Sequence, residues 1–203
     1  MSYLKKLFLL FLIAFLVIVK APIAFIQLSS EVVRWVVEKN STLSVQGSSN
    51  VNSFSCNIDE YVANDTLILA NSFSEPIKLS GDLRINVEDF NCHRSLITND
   101  LRKTLKSNNY PKMVIRFLSL ETMPSLNKTE MIKGWIEVQL AGVVKRFQLN
   151  YSFSTFEAGD IHLNGGRSFS FLDFKLTPPH KLGGLIKVKD DFDVDFKLIL
   201  RPV

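Results

Sequence analysis

The chain has 203 residues, 46% of them apolar, and a formal net charge of +4, which is enough for one ordinary domain with a sizeable core plus a targeting segment. Lys5, Lys6 and Lys20 supply three of those charges in a stretch without acidic residues, leaving +1 for the remainder. A near-neutral body with no Arg/Lys run interleaved with aromatics excludes a nucleic-acid surface of the basic kind.

Met1–Lys6 is basic and Leu7–Val19 is an unbroken apolar run, the pattern of a secretory signal. The run is shorter than the roughly 20 residues of a spanning helix and is followed by Lys20 and Pro22. Cleavage gives a targeting segment 1–28 and an exported domain 29–203. The alternative is a retained signal-anchor, because Leu7–Leu28 is long enough to span and would fix the domain to the inner membrane. Membrane contact is expected only through residues 7–28. No cysteine follows the apolar run, so lipid attachment there has no support.

Beyond this segment, Trp35–Glu38 opens a strand that Thr42–Gly47 continues or repeats. Ser48-Ser49-Asn50 reads as a turn. Phe54 alternates with polar neighbours through Ile58, and Leu67–Ser72 is a weaker strand. Cys56 and Cys92 are the only cysteines. An even count in an exported chain suggests one disulfide, worth roughly 3–4 kcal/mol by loop entropy; two unpaired buried thiols are the alternative. With no CxxC spacing, a zinc site is not supported. Ile77–Phe90 alternates cleanly, with Leu83 and Ile85 on the apolar face.

The period then changes. Thr98 or Asn99 can cap a helix, Asp100 suits its first turn, and Pro111 stops it, which predicts one short α-helix over about 98–107. Three strands follow as an antiparallel meander: Met113, Ile115 and Phe117; Ile132, Ile136 and Val138; Phe147, Leu149, Tyr151 and Phe153. Ala141-Gly142 is the tight turn between the second and third. Asn164-Gly165-Gly166 reads as a hairpin turn, Phe169–Leu176 as a strand, and Thr177–His180 as a stop enforced by two prolines. Lys181–Lys189 is a glycine-containing loop with a short apolar patch. Phe192–Leu200, including Phe196 and Leu198, closes the chain as a strand. The class is therefore all-β with about eight strands, the size at which a closed barrel can hold one small ligand.

Little in this pattern points to catalysis. His93, His162 and His180 fall in separate segments with no metal-ligand spacing. Asp190, Asp191, Asp193 and Asp195 lack the glycine and final glutamate of a calcium loop and read as a solvated strand face. No GxSxG, phosphate loop or GxGxxG occurs. The expectation is a non-enzyme with no catalytic residues, no metal and no cofactor chemistry of its own.

Four motifs lie in order: LSVQGSSNVNSFSC (Leu43–Cys56), LRKTLKSNNYPKMVIRF (Leu101–Phe117), GWIEVQLAGVVKRFQLNYSF (Gly134–Phe153) and SFSFLDFKLTPP (Ser168–Pro179). Together they resemble the YceI-like family of exported bacterial proteins over roughly Trp35–Pro202. Ala141 and Val144 depart from the family pattern, which often has a basic residue and a threonine there. The resemblance implies an extended, eight-stranded, lipocalin-like antiparallel barrel with a helix packed near one end. It also implies a periplasmic or secreted location and, in some members, an enclosed isoprenoid chain such as a polyprenyl lipid or quinone. The residues expected to line such a cavity are Phe54, Leu83, Ile85, Ile115, Phe117, Ile136, Val138, Phe147, Leu149, Phe196 and Leu198. A filled-core structural or interaction module of the envelope is the alternative, because a packed core leaves nearly the same sequence pattern.

Overall fold

The computed structural model describes residues 3, 31–71, 76–126, 130–156 and 159–203. Apart from Tyr3, the expected targeting segment 1–28 lies outside the described residues. The strands are β1 (Glu31–Val37), β2 (Thr42–Ser49), β3 (Ser53–Ile58), β4 (Thr66–Asn71), β5 (Lys78–Asn86), β6 (Lys112–Leu120), β7 (Met131–Leu140), β8 (Val143–Thr155), β9 (Ile161–Ser170), β10 (His180–Lys181) and β11 (Ile186–Pro202). The one α-helix among the described residues, α1, is Ser95–Thr104.

Pairing is antiparallel throughout. β4 to β9 form a meander that continues into β11. β1 and β2 both lie along β11: Val37 sits opposite Leu200, and Leu43 opposite Phe196. They act as one bent wall strand. β3 and β4 repeat this on the next row, since β3 pairs with β2 and β4 with β1. Counted this way the wall has eight strands, and the β1–β11 pairing closes it into a barrel. Closure leaves no long exposed edge.

Between β3 and β5 the wall is not hydrogen-bonded strand to strand. The excursion from β5 to β6 fills this gap. Asn91 bridges to Asn57, a disulfide joins Cys56 to Cys92, and α1 follows. The disulfide ties the helix-bearing segment to β3.

The helix starts and ends three residues before the expected 98–107. Arg94 occupies the N-cap without a side-chain cap bond. Thr98 still serves the terminus, but from inside it: its hydroxyl accepts the Cys92 N–H at 3.1 Å and donates to the Arg94 carbonyl. Arg102 and Lys103 lie in the last turn, where cations suit the helix dipole. Lys106 then turns left-handed, with φ 55°.

Two further expectations are corrected. Asn164-Gly165-Gly166 is not a turn but the interior of β9. Gly165 faces Phe196 across the sheet, and a Cβ at Gly165 would lie 2.5 Å from the Phe196 ring. The glycine makes room for that ring. Phe169–Leu176 is not a single strand either. Ser170 ends β9 and caps a short 3-10 turn, Phe171–Phe174, in a reciprocal box with Asp173, because Ser-x-x-Asp satisfies the free N–H groups of a turn start.

The barrel has two distinct ends. The β2–β3 turn, α1, the β7–β8 turn and the connection from β9 to β11 lie at one, here called the open end. The β4–β5, β6–β7 and β8–β9 connections lie at the other, where β1 also begins. The far half is filled. Trp35, Phe117, Leu120, Tyr151, Phe153, Leu163 and Leu200 are each at most 2% exposed. Among the described residues no helix is long and apolar enough to cross a membrane.

An apolar cavity at the open end

The open half encloses a cavity of about 80 Å³. Alternation places its walls: Leu43 from β2, Ile115 from β6, Ile136 and Val138 from β7, and Leu149 from β8 project inward because every second residue faces the interior. Phe196 forms the floor, with its ring 6.3 Å from Phe117 and 6.2 Å from Tyr151. Phe90, Leu101 and Leu105 close it from the α1 side, and Phe171 and Phe174 close it from the 3-10 turn. No titratable side chain lines it, so the cavity itself offers no acid, base or nucleophile.

Next to it lies an open cleft of about 770 Å³ between the β2–β3 turn, α1 and the loop before β11. Its walls carry Ser49, Asn52, His93, Arg94, Asp100 and Lys181, with Lys181 Nζ held 2.7 Å from Asp100. Phe54, Leu101 and Phe171 line both spaces. The cleft is itself mostly apolar, with Val51, Leu96, Ile97, Leu182, Ile186 and Val188 beside those polar groups, and the three shared side chains stand between it and the cavity. Gly47 permits the Phe54 position, since a Cβ there would come within 2.6 Å of the Phe54 ring.

Of the residues expected to line a cavity, Phe54, Ile115, Ile136, Val138, Leu149 and Phe196 do so. Leu83, Ile85 and Leu198 border a separate void of only about 10 Å³. Phe117 and Phe147 line neither: they are buried among other aromatics, Phe147 with its ring 4.8 Å from Phe169. Sequence reasoning missed the closing elements. Phe171 and Phe174 were hidden in an assumed strand, and Leu101 and Leu105 lay inside the expected helix 98–107 and were not among the expected lining residues.

The three histidines are not brought together. His93 lies in the cleft and His162 in β9 toward the far end, its ring stacked on Phe156 at 4.3 Å. Burial, assisted by nearby Lys197, pulls the His162 imidazole below its ordinary value. Among the described residues no three His, Cys, Asp or Glu side chains are grouped to hold a metal.

Among solved structures, the polyisoprenoid binding domain of Saccharophagus degradans superposes with a TM-score of 0.56 at 11% identity, covering 84% of this chain and 99% of that one. This chain shares the fold of that domain, a closed antiparallel barrel. BcnA of Burkholderia cenocepacia shares that fold, with a TM-score of 0.60 at 12% identity over 78% of this chain and 95% of its own. The Campylobacter jejuni YCEI protein matches at 17% identity and a TM-score of 0.48 over 69% of this chain. No family model and no curated protein matches the chain. The closed eight-stranded barrel and, among the described residues after Tyr3, its single α-helix are those expected from the sequence, and the Cys56–Cys92 disulfide fits an exported protein.

Proposed function

We propose that this chain is an exported, non-enzymatic, YceI-like binding protein that carries or sequesters an amphiphile with an isoprenoid-like tail. The observation that carries the reading is the wholly apolar cavity that shares Phe54, Leu101 and Phe171 with an adjoining open cleft, where polar groups such as Asn52, Arg94 and Lys181 are also found. An apolar tail would pass between these side chains, and its polar head would stay in the cleft among Asn52, Arg94 and Lys181. Each buried CH₂ contributes about 0.8 kcal/mol without any directional contact, so affinity grows with tail length and needs no polar motif. The solved polyisoprenoid binding domain of the same fold supports the choice of ligand class. The basic-plus-apolar start of the chain and its disulfide support a location in the periplasm or outside the cell.

The cavity holds about 80 Å³, below the ~300–1,000 Å³ of sites that enclose drug-sized ligands. A long tail therefore enters by displacing Phe54, Phe171 and their neighbours. The same small volume favours a second reading, a filled-core envelope module with no small-molecule ligand. Extraction of natively purified protein with organic solvent, followed by mass spectrometry, separates the two. The first reading expects a polyprenyl lipid or quinone in stoichiometric amount. Absence of extractable lipid, together with no uptake of added polyprenol, supports the second.

A further inference from the structure

The rim of the open end has a composition that neither the cavity nor the core explains. Val51, Leu96, Leu182 and Leu185 are 64%, 76%, 71% and 75% exposed. They come from three separate segments: the β2–β3 turn, the first turn of α1 and the loop before β11. Val51, Leu96 and Leu182 border one cleft. Asn50 fastens Leu185 beside them, donating to its carbonyl at 2.9 Å and accepting the Lys187 N–H at 2.9 Å.

The segment bearing Leu182 and Leu185 carries only positive charge, between Asp173 on one side and Asp190 on the other, with Asp100 on the cleft wall. From Phe174 to Lys189 there is no acidic residue, and Lys175, Lys181, Lys187 and Lys189 are all exposed. Among the described residues, Lys175, Lys187 and Lys189 make no ion pair, while Lys181 is held by Asp100. Arg94 lies on the cleft wall. Without these four lysines the rest of residues 29–203 carries 17 Lys and Arg against 20 Asp and Glu, a balance of −3, so this cationic segment is a local feature of the rim.

We propose that the open end docks on an anionic phospholipid surface, with the leucine and valine tips entering the interface and the lysines meeting lipid phosphates. Dispersed apolar tips on separate segments, with Lys181 and Lys187 near Leu182 and Leu185 and Arg94 near Leu96, suit a fluid interface better than a flat protein face. The location adds a reason. Val51, Leu96 and Leu182 border the cleft that shares Phe54, Leu101 and Phe171 with the apolar cavity, so a docked rim would bring a lipid tail to Phe54 without crossing water. Membrane contact would then not be confined to residues 7–28. The docking itself does not depend on the cavity being filled, so it stands or falls separately from the carrier reading.

Hydrogen exchange of the full-length protein on vesicles tests this. β1 begins at the far end, so contact made by the N-terminal segment reports there and not at the rim. Mixed phosphatidylcholine–phosphatidylglycerol vesicles are expected to slow exchange at 49–52, 94–97 and 181–189 while leaving 121–126 unchanged; phosphatidylcholine alone should protect much less. K187Q/K189Q should raise the lipid concentration for half-protection roughly 25-fold, about fivefold for each lysine. L182S/L185S should abolish protection with an unchanged melting temperature, since both leucines are exposed. Unaltered exchange at the rim, protection at the far end alone, equal protection by neutral vesicles, or protection that grows with protein concentration without lipid would each overturn the proposal.

Discussion

Gly165 and Phe196 show how a single atom shapes the interior. The ring of Phe196 lies across β9 only because Gly165 has no Cβ, and in that position it forms the boundary between the filled and hollow halves. Gly165→Val is expected to cost about 1–3 kcal/mol, the usual range for overpacking, measurable by urea unfolding; an unchanged midpoint would mean the ring is free to move. Tyr151 is different. Its hydroxyl is fully buried with no hydrogen-bond partner, and burial pushes its ionisation far above the ordinary phenol value. Tyr151→Phe should therefore leave stability unchanged or raise it by about 1 kcal/mol, and a clear loss would show that the hydroxyl is satisfied by a buried water. His162 makes a pH prediction. Its folded-state pKa lies below the ordinary 6.5, so the unfolded chain binds the extra proton. Stability is then fully present above about pH 6.5 and falls as pH drops through that value. The corresponding part of the slope should vanish in His162→Gln.

The elements show which local signals decide structure and which need a partner. The alternation of β6, β7 and β8 was legible because one face of each is buried along its length. The helix was legible as an element but not in its limits, since its N-cap is Arg94 and the hydroxyl that serves the terminus sits one turn inside. Gly165-Gly166 was misread for a reason no local rule supplies: a glycine pair signals a turn unless a ring on a neighbouring strand occupies the missing side chain's space. The Cys56–Cys92 bond acts at this scale too. It fastens the segment leading into α1 where β3 and β5 are not paired, and it closes a loop 36 residues apart in sequence. Reduction is expected to cost roughly 3–4 kcal/mol. Exchange should rise first in α1, with the far-half strands still protected. Uniform loss of protection would show that the bond supports the whole barrel rather than its lid.

At the scale of the molecule the barrel is two compartments: a packed far half around Phe117, Tyr151 and Phe153, and an open half around a small apolar cavity. Sequence could not divide them. Phe117 and Phe147 alternate just as Phe54 and Phe196 do, and whether a ring meets a void depends on volumes contributed from strands far apart in the chain. If Phe54 gates the passage, Phe54→Ala should speed uptake of a fluorescent polyprenyl probe several-fold in stopped-flow mixing at little cost in stability, because the ring is only half-buried. The most direct measurement is photo-crosslinking with a polyprenyl amphiphile bearing a diazirine at the tail terminus, mapped by peptide mass spectrometry. A carrier of this design gives adducts on Ile136, Leu149 and Phe196. Adducts confined to the outer surface, or none at all, would contradict it.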